Sequence, residues 1–483
     1  MLNKTEFSAE KFSNILLPVA LASVLGDENI TFIVLLLSYL CNVYYFKERD
    51  GDVERYFLKG FFIFIAIISL IVLLNGFLIG SDFESVFVDR HRLFLLILFL
   101  PVIVDFSYVT IMKSELDYYK VFYLYHVSLF LIIFAKLVYV LLTKEAPFRT
   151  GLEGVLGQSS GFFGRNPSFY DDYAVAAICA SIWTTMLAVW NSSNSRLNPH
   201  WLIVVIMMPI LWGIIIYGES RGGWLGITAA LGFSLAVLVC FRKYAVALAA
   251  IVIVLLLSAS QWDRIVPEAT KSWPTVKRHI TSLLQEPNQS RQANRPAAQV
   301  DNSAKPDDAA GEPDNTLDGG PDCSDGKATA ADVTWKGRDA NVELRFAIYD
   351  FAFRAWLERP LLGYGAYDKH QLVKHIPTDD MCAVLYLDHA HNLYLHIAVI
   401  GGLVLLIPVL IILAAPLLLM FHAMWCGKQG AILYAPSAAF SVFIMVENLF
   451  NLNFANLQYS VFASWTLMTT ATYVLVHKSR LQV

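Results

Sequence analysis

Apolar runs of membrane-spanning length recur along the whole chain, and no other feature limits its fold as strongly. A helix needs about 20 mostly apolar residues to cross the hydrocarbon core of a bilayer. On that scale twelve candidate spans fall at about 12–25, 29–46, 60–80, 92–112, 121–142, 171–190, 201–217, 224–241, 244–260, 392–420, 431–450 and 458–476. The first is short and the tenth is long. Composition agrees: 56% of the 483 residues are hydrophobic and only 16% are charged, with a mean hydropathy of +0.52. A soluble chain is typically about 45–50% apolar and about 25% charged. The expected fold class is an all-α polytopic membrane protein with about 12 transmembrane helices. The net charge of −4 implies no nucleic-acid partner, and the six cysteines show no CxxC spacing of the kind that marks zinc or redox motifs. The short, polar N-terminus carries no cleavable signal pattern.

Positive charge sets the expected orientation, because cytoplasmic loops are enriched in Lys and Arg. With the N-terminus in the cytoplasm, the inner loops hold Lys47, Arg49, Arg55 and Lys59, then Lys113 and Lys120, then Arg196, Arg242 with Lys243, and Lys428. The tail adds Lys478 and Arg480, so both ends are expected inside. The same assignment sends three polar stretches, "GFFGRNPSFYDD" (161–172), "GESRGG" (218–223) and the whole of 261–390, to the outer face. The chain then divides into nine spans over 1–260, one large outer loop over 261–390, and three spans with a cytoplasmic tail over 391–483.

The large loop has two parts. Residues 285–339 are rich in Pro, Asp, Asn, Ala and Gly, a composition that buries little apolar surface and predicts a flexible insert. Residues 340–359, "ANVELRFAIYDFAFRAWLER", predict a helix that Pro360 and the glycines of "PLLGYG" end. Cys323 and Cys382 share this loop and are either a disulfide, in an oxidising compartment, or two unpaired thiols.

Cations on the outer side come next. On the loop helix Arg354 has Asp350 at i−4 and Glu358 at i+4, so it is locally paired. Arg345 has no acid at those positions and shares a stripe with Ile348, Tyr349, Ala352 and Trp356. Its planar fork suits a phosphate, while pairing with a distant carboxylate or reaching to the interface are the plainer roles. Arg221 stands in a very short turn, "YGESRGGWLG", where a helix is expected to begin; an arginine at a helix N-terminus makes an anion site, or anchors the interface. Arg165 lies in "GRNPSFYDD", where Asn166-Pro167 is ordinary turn chemistry.

Three histidines, His389, His391 and His396, crowd "DHAHNLYLH" at the lip of the tenth run. Their spacing is poor for one metal, and no Glu-x-x-His or carboxylate cluster accompanies them, so no metal is expected. A proton relay would want acids within the spans, which offer chiefly Asp105 and Glu447. A neutral imidazole near arginines would serve as a general base, or the histidines merely hydrogen-bond the loop. The chain has no G-x-x-x-x-G-K-[ST] motif, so no nucleotide cofactor is expected and the energy for any transfer must come with the substrate. A lipid-linked pyrophosphate is such a substrate: arginines would stabilise the leaving pyrophosphate while the histidine takes a proton.

"GRNPSFYDDYA" (164–174), "ESRGGWLG" (219–226), "LRFAIYDFAFRAWLERPLLGYGAYD" (344–368) and "HAHNLYLHIAVIGGL" (389–403) occur in that order with spans between them. In this the chain resembles the bacterial O-antigen ligase and polymerase superfamily of GT-C-like membrane glycosyltransferases. The resemblance implies metal-free, inverting transfer of a glycan from undecaprenyl pyrophosphate to a sugar hydroxyl of lipid A–core, at the periplasmic face of the bacterial inner membrane. It implies His391 as the base, followed by Asn392 and then Gly401-Gly402, with Arg221 and Arg345 as its catalytic arginines. Arg165, Asn166, Ser220, His389 and Asn392 are expected to bind substrate. The insert at 285–339 departs from a compact family loop. An O-antigen polymerase or a protein-glycosylating relative with the same donor is the alternative. A transporter or flippase would show polar spans and two symmetric halves, which the sequence lacks.

Overall fold

The computed structural model describes residues 221–242, 244–259, 340–365, 390–426, 429–450, 469–470, 472–474 and 476, together with isolated positions at 60, 63, 67, 70, 71, 74, 75, 78, 127, 131, 134 and 277. The predicted spans at 12–25, 29–46, 92–112, 171–190 and 201–217, the insert at 285–339, Cys323, Cys382 and Asp105 lie outside the described residues. Every described segment is helix or turn, with no strand among the described residues.

Five α-helices follow in order: α1 (Arg221–Cys240), α2 (Tyr244–Ala259), α3 (Ala340–Glu358), α4 (Leu393–Trp425) and α5 (Ala435–Glu447). Helices α1, α2 and α4 fall on the apolar runs predicted at 224–241, 244–260 and 392–420, and α3 falls on the predicted loop helix. The run at 431–450 differs from a single span. Its first residues belong to a 3-10 turn, Gln429–Tyr434, and the α-helix starts only at Ala435, with Pro436 in its first turn. Proline is tolerated there because that turn's N–H groups have no helical acceptor, and it resists continuation of a helix from upstream.

Helices α1 and α5 run antiparallel. Val237, near the end of α1, packs with Ala435 and Ala438 at the start of α5, in a core shared with Met420, Ala423 and Tyr434. At the other end Gly226 of α1 lies against Phe443 and Glu447 of α5. A Cβ at position 226 would stand 2.9 Å from the Phe443 ring and 3.2 Å from the Glu447 Cβ, so glycine permits the approach. Phe440 and Phe443 are fully buried, and Ser437 and Thr472 hydrogen-bond through their hydroxyls at 2.9 Å.

Helix α4 is the one described helix long and apolar enough to cross a membrane. It is not continuous. At Gly402 the backbone turns to φ 56°, ψ −158°, a region that is essentially glycine's alone. Such a break frees two carbonyls before it and two N–H groups after it. The turn that follows α3 meets all four. Tyr364 and Gly365 donate their N–H groups to Val399 and Ile400, both at 2.7 Å. Leu403 and Val404 donate to the carbonyls of Pro360 and Leu361, at 2.8 and 3.1 Å. The turn itself needs Gly363 at φ 63°, where a Cβ would collide with the Val399 and Ile400 backbone. Asn75, within the predicted span at 60–80, donates to the Gly363 carbonyl at 3.4 Å. In lipid no water is at hand for a freed backbone group, so irregular backbone at membrane depth must be satisfied by protein. Beyond the break, Leu403–Trp425 alone is roughly 34 Å long at about 1.5 Å per residue, enough for a bilayer core. The break therefore lies toward the N-terminal end of α4, with Val404, Ile407, Ile411, Leu418 and Phe421 forming an exposed apolar face beyond it.

Candidate functional site

Three chain segments meet at the end of the bundle where α4 begins. Each contributes backbone or side-chain groups that the local sequence fixes. Asn392 caps α4: its Oδ1 accepts from the Leu395 N–H at 3.0 Å, satisfying a donor that the first helical turn leaves open. Its Nδ2 donates to the Leu449 carbonyl at 3.0 Å, and the Leu393 N–H donates to the Asn448 carbonyl at 3.0 Å. The start of α4 is thereby stitched to the C-terminal end of α5.

Helix α3 brings two side chains to the same place, one turn apart. Arg345 donates from Nη1 to the Phe450 carbonyl at 2.6 Å. The Tyr349 hydroxyl lies 3.1 Å from the carbonyls of both Leu449 and His391 and shares its single proton between them. The carbonyls of Asn448, Leu449 and Phe450 thus all have donors. A helix C-terminus carries partial negative charge, so the guanidinium is attracted there. Arg345 keeps further N–H donors and is half-buried. The sequence offered a distant carboxylate as its plainer partner; the partner here is a backbone carbonyl. Ile348 and Ala352 of the same stripe are buried, which holds α3 by its apolar face. Arg354 pairs with Asp350 at 2.7 Å as expected, while Glu358 accepts from the Tyr364 hydroxyl at 2.9 Å.

His391 sits at the centre of this arrangement. It is half-exposed, directly before the capping Asn392 and after the fully buried Ala390. Its φ of 46° is left-handed, which is uncommon for a residue with a Cβ. His396 lies elsewhere: it is buried in the first turns of α4, and its N–H donates to the Asn392 carbonyl at 2.9 Å. The two histidines are therefore in different surroundings, and only His391 stands at the lip.

Arg221 is the first residue of α1. Because α1 runs antiparallel to α5, its N-terminus lies at the same end as Asn448–Phe450. It is about 7.5 Å of helix rise above Gly226, which touches Glu447. The structure thus brings the helix start carrying Arg221 to the end occupied by Arg345 and His391. Arg165, Asn166, Ser220 and His389 lie outside the described residues.

Electrostatics keep the Tyr349 phenol a donor. Burial pushes its pKa above the ordinary tyrosine value, and the adjacent Arg345 pulls it partly back. The sequence reading placed Tyr349 on the packing stripe and gave it no polar role. The signal that would have found it is a hydroxyl on a buried face, which nearly always has a partner.

Together these features are consistent with a helical membrane protein in which a broken apolar helix and α3 converge on a polar end that holds a guanidinium and an imidazole. Residues 202–410 match the family model described as O-antigen ligase. The matched region contains Arg221, Arg345 and His391. The family is one of membrane-embedded, glycosyltransferase-like bacterial enzymes of the O-antigen ligase and polymerase type, which act in lipopolysaccharide synthesis. No curated protein matches the chain.

Proposed function

We propose that the protein is an O-antigen ligase of the inner membrane. It transfers a polysaccharide from undecaprenyl pyrophosphate to a sugar hydroxyl of lipid A–core, in the periplasm and without a metal. The observation that supports this reading is that Arg345 and the backbone of His391 are both tied to one end of the bundle, within the family-matched region. The acceptor oxygen attacks the anomeric carbon from the face opposite the pyrophosphate, so the configuration inverts. The carbon–oxygen bond to the carrier breaks, and undecaprenyl pyrophosphate leaves with the electron pair. His391 takes the acceptor's proton, and Arg345 and Arg221 neutralise charge on the leaving pyrophosphate. Arg345 suits that role because its fork is already aimed by the Phe450 carbonyl and needs little further ordering. Arg165, Asn166, Ser220 and His389 complete the substrate-binding set in this proposal. Asn392, with both ends of its amide engaged, contributes by fixing the start of α4.

Reconstitution tests the proposal. Purified protein is mixed with undecaprenyl-pyrophosphate-linked O-antigen and lipid A–core in EDTA, without ATP, and products are resolved on a gel. A high-mass lipopolysaccharide ladder is expected. Longer chains still on the carrier would instead make the protein a polymerase, and no glycan product would sink the ligase reading. In the same assay Arg345→Ala is expected to lower kcat/KM for the donor at least about a hundredfold. Arg345→Lys is expected to recover only a small part, since an ammonium lacks the planar fork. Wild-type rates in Arg345→Ala would remove the arginine from the mechanism.

A further inference from the structure

Tyr349 takes no part in the chemistry above, yet its hydroxyl touches the backbone of the proposed base. His391 holds a left-handed φ of 46°. For a residue with a Cβ that conformation is strained relative to right-handed backbone. Such residues persist only where their surroundings over-determine them, and they cluster at working sites. The following residue is fixed by the Asn392 cap and by the Leu393 N–H on the Asn448 carbonyl. The preceding residue, Ala390, is fully buried. The His391 carbonyl accepts from the Tyr349 hydroxyl at 3.1 Å, which ties down the backbone that carries the imidazole.

We propose that Tyr349 is a positioning residue for His391: its hydroxyl bridges the His391 and Leu449 carbonyls and so sets the imidazole against the anchored Arg345. The bridge matters because of where its other end lies. Leu449 precedes Phe450, whose carbonyl holds the guanidinium. Arg345 and Tyr349 are one turn apart on α3 and face the same way. One helix face therefore holds the cation directly and the base through its backbone. A shift of about 1 Å between the two groups would cost roughly a hundredfold in rate. Burial that keeps the phenol protonated keeps it a donor. The proposal rests on His391 being the base of the transfer described above.

The test is Tyr349→Phe, which removes one oxygen and leaves the ring. In the reconstituted transfer, kcat is expected to fall about 10- to 100-fold, with KM for the donor changed less than about twofold. Tyr394→Phe is the control. Its hydroxyl donates to the Met445 carbonyl at 2.7 Å and not to the His391 backbone, and its loss is expected to leave kcat unchanged. On a His391→Ala background, Tyr349→Phe is expected to lower the residual rate no further, because it acts through the base. An additional loss there would overturn the proposal, as would an unchanged kcat in the single variant. A second readout needs no glycan transfer: the rate at which diethyl pyrocarbonate modifies His391, followed by tandem mass spectrometry. Tyr349→Phe is expected to change that rate about threefold or more and Tyr394→Phe not at all. Altered His391 reactivity in an assay where the wild type transfers nothing would sink the ligase reading and leave the positioning role standing. Unaltered reactivity would sink the positioning role alone.

Discussion

Alanine in place of His391 is expected to reduce glycan transfer by at least about a hundredfold, the lower end of what a positioned general base contributes. The donor should still bind, because the guanidinium proposed to grip it is anchored by Phe450 and not by the histidine. Alanine also inherits the left-handed backbone, which costs it about 1–2 kcal/mol. A second variant separates chemistry from folding. Asparagine adopts left-handed backbone more readily than most residues, so His391→Asn should fold as the wild type does. It should be as inactive as His391→Ala, since an amide is no base. Initial rates in the reconstituted assay, beside thermal midpoints in detergent, give both numbers. Wild-type rates in His391→Asn would exclude the imidazole as base.

Gly402→Ala is expected to be the most destabilising single substitution among the described glycines. The new Cβ would meet the Leu361 carbonyl group, and φ 56° with ψ −158° is closed to alanine without strain. Strain of this kind costs about 1–3 kcal/mol. Relieving it by straightening α4 would expel the turn at 360–365 and strand its backbone groups along with those of Val399 and Ile400. Little monodisperse protein should be recovered, with a thermal midpoint well below wild type. Gly232→Ala is the matched comparison. Nothing lies within 4 Å of a Cβ there, and the residue is mid-helix in α1, so the change should be neutral or stabilising by up to about 1 kcal/mol. Equal behaviour of the two variants in fluorescence-detected size exclusion would mean that the break does not constrain the fold.

The long helices were legible because apolar run length is a local property. Helices α1, α2 and α4 could be read from it directly, and α3 from its composition and the proline that follows it. The break in α4 was not. Gly401-Gly402 inside an apolar run is compatible with an unbroken helix at a cost of about 1 kcal/mol per glycine. What turns the pair into a break is the turn at 360–365, whose fit depends on packing and not on spacing. The site divides the same way. Arginines and histidines at a span's lip stand out because charge there is costly. Tyr349 did not stand out. Its partners lie 42 and 100 positions away, and a tyrosine on a helix stripe reads equally well as packing.

The exchange of hydrogen bonds between the turn at 360–365 and α4 also bears on biosynthesis. In lipid, the broken segment of α4 is tolerable only if its partner strand of backbone is already there. The chain is made from its N-terminus, so residues 360–365 leave the ribosome before Leu393–Trp425. Folding of the turn that follows α3 thus becomes a prerequisite for seating the helix rather than a separate event. A turn that fails to dock would leave the peptide groups of Val399, Ile400, Leu403 and Val404 open, the kind of lesion that quality-control proteases recognise.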